Sequence, residues 1–326
     1  MTHLIDGPAP GLLRPPAMAQ PKLEQVLATG TTGFIGAAVV RELAAGGHSV
    51  KALVRTEAAA EAARAAGASS ILGDLLAPTP ALNETIAAAR YVVHCAQPKA
   101  RDQRSRMDAN LLGAIDLRRV ARFVYVGGSS YIGRAEGEEW LDENSPRRPI
   151  GIGATFEEGI RALRAAGERG LDYAVALVGG VYGSGSWFIQ AYLHALAVGE
   201  PIPVLNPAPR WPYVHIDDCA RAIVHLMTVD RSALAAHGRE VIVADDKPMP
   251  MDVFIEEVAR IVGKQACLRR LDEAALRAEF PPVRVSYLTA DMPHSNCRLR
   301  QLGFTCRYPS PREGLATLGL TLPRSG

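Results

Sequence analysis

The sequence predicts an α/β protein with a doubly wound parallel sheet and a smaller carboxyl-terminal lobe. Short apolar runs alternate with segments of helical periodicity from residue 26 to about residue 177, and this alternation is typical of a parallel sheet covered by helices. A glycine-rich turn joins the first apolar run to the first helical pattern. Beyond Val181 the alternation loosens and prolines become frequent, which indicates a separate lobe.

The predicted elements follow one another in a regular order. The first helix carries Ile35, Val39, Val40 and Leu43 on one face and ends at Gly46, because apolar residues at this spacing share a helix face. The predicted strands cover 26–28, 48–54, 70–72, 91–96, 123–126 and 173–177, and a late strand over 241–243 is predicted to rejoin the sheet. The later helices are predicted over 57–66, 81–89, 110–120, 156–167 and 220–227.

The glycine-rich turn has the spacing of a dinucleotide-binding site. It reads Gly30-Thr31-Thr32-Gly33-Phe34-Ile35-Gly36 between a strand and a helix, which is the context such a site requires. Gly30 can adopt backbone angles that a side chain forbids. Gly33 leaves room for a pyrophosphate, and Gly36 lets the helix pack closely on the strand. The free N–H groups at the helix start favour a bound phosphate, so the turn predicts a dinucleotide cofactor.

Arg55, at the end of the second predicted strand, bears on which dinucleotide is bound. Folds of this kind place the adenosine ribose beside that strand end, where an acidic residue would accept the ribose hydroxyls of NAD. An arginine there can instead pair with a 2′-phosphate. The sequence therefore predicts NADP, with NAD as the alternative cofactor. The competing interpretation is that Arg55 is an ordinary solvated arginine on the surface with no role in cofactor binding.

Composition argues against several classes of protein. The chain has 326 residues, 48% of them hydrophobic, and a net charge of +2. It is long enough for a sizeable core and too weakly charged to indicate nucleic-acid or membrane binding. Residues 1–22 are proline-rich and are predicted to form a disordered extension rather than a signal peptide. The five cysteines are odd in number and form no C-x-x-C pair, which predicts a cytoplasmic protein and no metal site.

Further motifs occur in the order of a known family. After the turn come Gly73-Asp74-Leu75, Val93-His94-Cys95-Ala96, Gly180-Val181-Tyr182-Gly183 and Tyr213-Val214-His215-Ile216-Asp217-Asp218. With these motifs the chain resembles the extended short-chain dehydrogenase/reductases, the NAD(P)-dependent epimerase/dehydratase-like group. The resemblance implies a Rossmann-like NAD(P)-binding domain over 23–180 and a substrate-binding lobe over 181–326. It also implies enzymatic activity on a small molecule.

The turn and the resemblance together predict the cofactor contacts. The residues expected to contact the cofactor are Gly30, Thr32, Gly33, Phe34, Ile35, Gly36, Arg55, Asp74, Leu75, Cys95 and Ala96. Within this set, the resemblance places Asp74 beside the adenine.

The family's catalytic Tyr-x-x-x-Lys pair is absent from this chain. In the family the tyrosine exchanges a proton with the substrate and the lysine lowers its pKa. Here no tyrosine or lysine occurs between Trp140 and Leu171. The register that fits best puts Ile150 and Ala154 at the two positions. Gly128 takes the position of the family's serine.

Tyr131, with Ser129, is an alternative candidate for proton transfer. The segment from Gly127 to Gly133 resembles a loop of the plant steroid enone reductases, a side branch of the family that uses a tyrosine there. The resemblance implies a catalytic role for Tyr131. The competing interpretation is that Tyr131 only packs beneath the lobe.

Aromatic residues of the lobe are candidates for the substrate pocket. They are Trp187, Phe188, Trp211 and Tyr213, and they would suit an apolar or aromatic ligand, although each could equally belong to the lobe core. His94 and Cys95 are adjacent on a strand and point to opposite faces, so we expect a structural role for them. An aspartate of the pair Asp217-Asp218 is expected to cap the helix that follows rather than to bind a metal.

Three functions are compatible with these residues. The first is an NADP(H)-dependent oxidoreductase acting on a small carbonyl, enone or alcohol with a non-standard catalytic site. The second is a redox-neutral cyclase, isomerase or lyase, and the third is a non-catalytic NADP-sensing or binding protein. A homodimer is also implied by the resemblance, through the helices that flank the fifth strand.

Overall fold

The structure, a computed structural model, describes residues 24–323, and the predicted extension over 1–22 lies outside them. The strands are β1 (Val26–Thr29), β2 (Val50–Val54), β3 (Ser69–Leu72), β4 (Tyr91–His94), β5 (Arg122–Gly128), β6 (Tyr173–Val178), β7 (Gly180–Tyr182), β8 (Ile202–Leu205), β9 (Arg210–Trp211), β10 (Tyr213–His215), β11 (Glu240–Val243), β12 (Met249–Pro250) and β13 (Leu268–Leu271). The α-helices are α1 (Phe34–Ala45), α2 (Glu57–Ala65), α3 (Pro80–Ala88), α4 (Arg104–Ala114), α5 (Glu157–Glu168), α6 (Trp187–Val198), α7 (Ile216–Thr228), α8 (Arg231–His237), α9 (Met251–Ile261), α10 (Glu273–Glu279), α11 (Pro282–Leu288), α12 (Cys297–Gln301) and α13 (Pro311–Leu315). Short 3₁₀-helices cover Arg101–Gln103, Ser129–Tyr131 and Gly153–Phe156.

A seven-stranded parallel sheet lies at the centre, with its strands in the order β11-β6-β5-β4-β1-β2-β3. The chain builds outward from β1 to β3 and then returns to the other side of β1 with β4. Ligands of such sheets bind at this reversal, beyond the carboxyl ends of the strands. The order confirms the predicted doubly wound sheet, and β11 pairs with β6 at its edge.

Three clusters of buried apolar side chains support this arrangement. One packs α1, α2 and α7 on one face of the sheet, and a second packs α3, α4 and α5 on the other. The third fills the lobe, chiefly between α6 and α9. Within residues 24–323 no helix has the length and apolar character needed to cross a membrane.

Two predicted helix boundaries are wrong. The helix predicted over 110–120 is α4, which ends at Ala114 because Ile115 has an extended backbone. The carboxylate of Asp116 then accepts the N–H of Arg118 at 2.9 Å and holds a turn. The helix predicted to start at 220 is α7, and its N-cap is His215 rather than an aspartate. The Nδ1 atom of His215 accepts the N–H of Asp217 at 3.1 Å.

His294 joins the lobe to the loop that follows β5. Its side chain is fully buried, and its Nε2–H donates a hydrogen bond to the carbonyl of Gly133 at 2.8 Å. Burial lowers the pKa of His294 from 6.5 to about 4, although the Gly133 carbonyl and Asp291 act in the opposite direction. The folded chain therefore holds this imidazole neutral at pH values where the unfolded chain protonates it.

The buried His294 predicts a loss of stability in mild acid. Its contribution is complete above pH 6.5 and falls as the pH drops towards 4, because the unfolded state takes up the proton first. Between pH 7 and pH 5 we expect the free energy of unfolding to fall by about 2 kcal/mol through this residue. His294→Gln keeps an amide donor but cannot titrate, so its urea-unfolding free energy should depend less steeply on pH. Equal pH dependence in the two proteins would contradict the assignment.

Candidate cofactor and substrate site

A cavity of about 1360 Å³ lies beyond the carboxyl ends of the central strands and beneath the lobe. The segments that follow β1, β2, β3 and β4 line one half of it, and α6, α11 and the loops around β9 line the other. We call these the nucleotide half and the lobe half. This is the position that the strand order predicts for a ligand.

The structure brings the predicted cofactor contacts together. All eleven residues named above, from Gly30 to Ala96, line the nucleotide half of the cavity. They come from four separate segments of the chain. The reversal of strand order beside β1 is what places those segments next to one another.

The glycines of the turn lie where a side chain would collide with backbone. Gly30 has φ +69°, and a Cβ added to it would lie 2.5 Å from the backbone N of Ala96. A Cβ on Gly36 would lie 2.2 Å from the carbonyl oxygen of Gly30. The backbone of the turn therefore packs closely against the start of α1 and against the segment that follows β4, because Gly30 and Gly36 have no Cβ.

The N-terminus of α1 is open to an anion. Its N-cap is Gly33, so no side chain caps the first N–H groups, and no acidic residue lies in the first turn. The hydroxyl of Thr31 lines the cavity, is buried, and has no hydrogen-bond partner among residues 24–323. Unpaired donors and the helix dipole suit a pyrophosphate, and the cradle without Cβ atoms leaves room for one.

Arg55 and Asp74 stand at the far end of the nucleotide half. Arg55 is exposed and forms no ion pair in the described part of the chain. Asp74 accepts the N–H of Leu76 at 2.9 Å, and the amide of Asn110 donates to the carbonyl of Leu75 at 2.7 Å. The sequence analysis assigned no role to Asn110. Asn110 holds the loop that would face the adenine.

The segment that should carry the tyrosine and lysine presents apolar residues to the cavity. Ile152 and Phe156, four residues apart, line the wall. Ile150 and Ala154, which the best-fitting register puts at the two positions, do not line the cavity; Ile150 is buried in the lobe core and Ala154 is exposed. Gly151 with φ +53° and the 3₁₀-helix that follows rotate the segment by comparison with an α-helix.

Ser129 lines the cavity and Tyr131 does not. The Tyr131 ring is 1% exposed. Its hydroxyl faces Glu157 and Arg164, and the guanidinium of Arg147 lies 5.2 Å from its centroid. Both Ser129 and Tyr131 belong to a 3₁₀-helix, whose successive side chains point about 120° apart. The predicted catalytic role of Tyr131 therefore has no geometric support.

Three of the four predicted pocket aromatics line the lobe half, namely Trp187, Phe188 and Trp211. Tyr213 does not, and its prediction is corrected. Tyr213 stacks on Phe254 with ring centroids 4.0 Å apart and is buried in the lobe core. The rings of Trp211 and Tyr213 lie side by side, with centroids 6.0 Å apart, but only Trp211 lines the cavity.

The lobe half contains further residues that sequence reasoning missed. They include Tyr192, Met251, Val283, Arg284, Tyr287, Leu288 and Met292. Tyr192 lies one helical turn after Phe188, so helical spacing offered a signal for it. The residues of α11 carried none. Tyr287 accepts the backbone N–H of Ile152 at 3.2 Å and thereby joins α11 to the cavity wall.

His94 and Cys95 point to opposite sides of the sheet, as expected. The Nδ1 and Nε2 atoms of His94 lie 2.6 Å from the Thr29 hydroxyl and 3.0 Å from the Asp108 carboxylate. Asp108 also accepts the hydroxyl of Tyr125 at 2.7 Å. Cys95 lines the cavity, where burial raises the pKa of its thiol to about 12. His94 belongs to a buried structural network, and Cys95 is a neutral wall residue.

Comparison with known proteins places this site in a family. The model of the NAD dependent epimerase/dehydratase family matches residues 26–244. A "3-diazoavenalumate denitrifying reductase" of a Streptomyces species is 28% identical over 314 residues, which cover 89% of this chain and 99% of that protein. An uncharacterized protein of Schizosaccharomyces pombe is 25% identical over 307 residues, which cover 90% of this chain and 98% of that one.

Solved structures share the fold. MoeE5, in complex with UDP-glucose and NAD, is 24% identical with a TM-score of 0.69 and matches 90% of this chain and 97% of its own. A human epimerase family protein with NADPH is 19% identical with a TM-score of 0.69, over 91% of this chain and 99% of its own. The family match supports binding of a nicotinamide cofactor. The chain belongs to the NAD dependent epimerase/dehydratase family.

Proposed function

We propose that this protein is an NADP(H)-dependent oxidoreductase acting on an apolar or aromatic small molecule, such as a carbonyl compound, an enone or an alcohol. The observation that carries the proposal is the continuity of the cavity. Residues suited to a dinucleotide line one half, and aromatic side chains line the other. The bound cofactor would supply or accept hydride, and the apolar lobe half would exclude water from that transfer.

Arg55 supports NADP rather than NAD. It stands exposed at the end of β2, has no carboxylate partner in residues 24–323, and lines the nucleotide half. A 2′-phosphate offers a guanidinium charged, paired hydrogen bonds that the ribose hydroxyls of NAD cannot. The structure of the human epimerase family protein contains NADPH and that of MoeE5 contains NAD, so the family fold accommodates both.

The residues around the reaction centre favour acceptors that need little acid catalysis. Ile152 and Phe156 offer no proton; the hydroxyls of Ser129 and Ser130 line this wall, and the Tyr287 phenol, which accepts the N–H of Ile152, lies beside it. A serine can donate a hydrogen bond to a substrate oxygen, but it is a weak acid. The Streptomyces relative is named a reductase of a diazo compound. An acceptor of that electron-poor kind, or an enone that takes its proton from water, suits such a wall.

A redox-neutral cyclase, isomerase or lyase is the second candidate, since the absence of the family's Tyr-x-x-x-Lys pair also favours such an enzyme. The two candidates differ in the amount of NADPH consumed for each molecule of product formed. The purified protein should be incubated with NADPH and a panel of ketones, enones and aryl diazonium compounds while NADPH absorbance and product are followed. Equimolar NADPH loss and product formation are expected. Turnover without NADPH loss would support the second candidate, and no turnover with any class would contradict the proposal.

Removing the hydroxyl of Ser129 should affect catalysis far more than removing the hydroxyl of Tyr131. Ser129→Ala should slow NADPH-dependent reduction of an enone about tenfold, the value of one hydrogen bond of about 1.4 kcal/mol in the transition state. Tyr131→Phe should leave the rate within about twofold, because the phenol lies outside the cavity. Steady-state rates with both variants decide the matter. A large loss in Tyr131→Phe with Ser129→Ala unaffected would restore the tyrosine as the proton donor.

A further inference from the structure

One charged side chain stands out among the apolar residues of the lobe half. Arg284, on α11, lines the cavity together with aromatic and aliphatic side chains. The other charged residues on the cavity wall, Arg55, Asp74 and Arg101, belong to segments that follow β2, β3 and β4. A ligand in the lobe half would therefore meet a cation at one place and apolar surface elsewhere.

Arg284 has no acidic partner within residues 24–323, whereas arginines near it in the lobe do. Arg277 pairs with Glu273, and Arg269 pairs with Glu279 at 2.6 Å. The guanidinium of Arg284 instead lies 4.4 Å from the ring centroid of Phe280. Stacking of this kind holds the planar group while leaving its N–H donors free for a carboxylate.

Tyr192 adds a neutral donor beside this cation. Burial raises the pKa of the Tyr192 phenol, and the nearby charge of Arg284 acts in the opposite direction. The phenol is therefore protonated at neutral pH and can donate a hydrogen bond. A guanidinium with a neutral phenol close by offers a carboxylate both a charge and a second donor.

The rest of the lobe half suits a planar apolar group. Trp211 and Tyr287 both line it and meet edge to face, with ring centroids 6.1 Å apart. The indole Nε1–H of Trp211 is buried and has no partner in the described part of the chain. A nucleoside diphosphate carries two or more negative charges, which a single cation cannot neutralise. One cation does match the single charge of a carboxylate.

From these contacts we infer that the substrate is an aromatic or other apolar carboxylic acid whose carboxylate binds Arg284 while its apolar body lies against Trp211 and Tyr287. This inference rests on the proposed function, because it names the substrate class of the same cavity. The inference requires only that the acid binds, whereas the proposed function requires turnover. Binding of the acid can be measured with NADP⁺ bound and no reaction taking place.

The test compares matched acids and amides. NADP⁺-saturated protein is titrated calorimetrically with trans-cinnamate, 3-phenylpropionate and octanoate, and with the amide of each. We expect at least one acid to bind about fivefold more tightly than its amide, near the upper end for an exposed ion pair. Arg284→Gln should remove that preference, and added salt should weaken it in the wild type. NADP⁺ binding by the variant serves as the folding control.

Arg277→Gln is the matched control, because Arg277 is an exposed arginine that pairs with Glu273 and does not line the cavity. It should retain the wild-type preference for the acid. Equal affinity for acids and amides, an unchanged preference in Arg284→Gln, or no binding of any acid would each overturn the inference. Preferential binding of the acids without NADPH turnover would instead uphold the binding site and count against the oxidoreductase proposal.

Discussion

Replacement of Gly36 by alanine should weaken NADPH binding by about 100-fold or more, which corresponds to about 3 kcal/mol. The added Cβ would lie 2.2 Å from the carbonyl oxygen and 2.8 Å from the carbonyl carbon of Gly30. These neighbours are backbone atoms and cannot rotate away as a side chain can. The start of α1 must therefore move off the turn, and the N–H groups that would hold the pyrophosphate move with it.

Gly47 provides the matched control at the other end of α1. It has φ +72°, but a Cβ there would meet nothing within 4 Å. Gly47→Ala should therefore cost about 1 kcal/mol of stability through backbone strain and leave NADPH affinity unchanged. Calorimetric titration with NADPH, alongside circular dichroism, separates loss of the site from loss of the fold.

Gly33→Ala provides an intermediate case. Its Cβ would approach only the Gly30 carbonyl oxygen, at 3.3 Å, so the backbone of the turn should move less than in Gly36→Ala. The Cβ would still occupy part of the room left for the pyrophosphate, so we expect NADPH affinity to fall while the fold is retained. If Gly36→Ala bound NADPH within a few-fold of the wild type, the close approach of α1 to the turn would not be what forms the site. The graded pair keeps the prediction testable even if Gly36→Ala folds poorly.

The nucleotide half was predictable because its determinants are local. Gly30, Gly33 and Gly36 specify a turn within seven residues, and the strand and helix around that turn follow from short-range hydrophobic periodicity. The sheet order then follows from the alternation of strands and helices and the right-handed crossover rule. Arg55 and Asp74 could be placed for the same reason, since each directly follows a predicted strand.

The lobe half was less predictable because its wall comes from segments far apart in the chain. Arg284 and Tyr287 reach the cavity through packing of α11 against the loop at Ile152, more than 120 residues earlier in the sequence. No local pattern marks such a contact. Tyr213 shows the converse, since it is only two residues from Trp211 in the sequence, yet its ring stacks on Phe254 in the lobe core and does not line the cavity.

The residues of the wall beside the reaction centre could not be predicted for a third reason. The direction of a side chain depends strongly on whether its segment is an α-helix or a 3₁₀-helix. Ile152 and Phe156 replace Ile150 and Ala154 on the wall because Gly151 and a 3₁₀ turn change the direction of the segment. Tyr131 turns away from the cavity within another 3₁₀-helix. A one-residue change in such a short helix rotates a side chain by about 120°, which motif matching does not detect.

Arg55→Ala should lower the affinity for NADPH by about 100-fold and leave the affinity for NADH within about twofold. The 2′-phosphate that distinguishes the two cofactors carries the charge that a guanidinium at the end of β2 would bind. Charged, paired hydrogen bonds of this type contribute about 1.5–3 kcal/mol each. Because Arg55 is exposed, added salt should weaken NADPH binding in the wild type more than in the variant.

Arg64→Ala on the neighbouring helix α2 is the control for charge alone. Arg64 pairs with Glu57 at 2.8 Å, lies outside the cavity, and should leave both affinities unchanged. Arg55→Asp should go further than alanine, since a carboxylate repels the 2′-phosphate and can accept the ribose hydroxyls of NADH. A proportional fall for both cofactors in Arg55→Ala would mean that Arg55 does not contact the phosphate, and the solvated-arginine interpretation would then hold. A fall confined to NADPH would assign the cofactor preference to this one side chain.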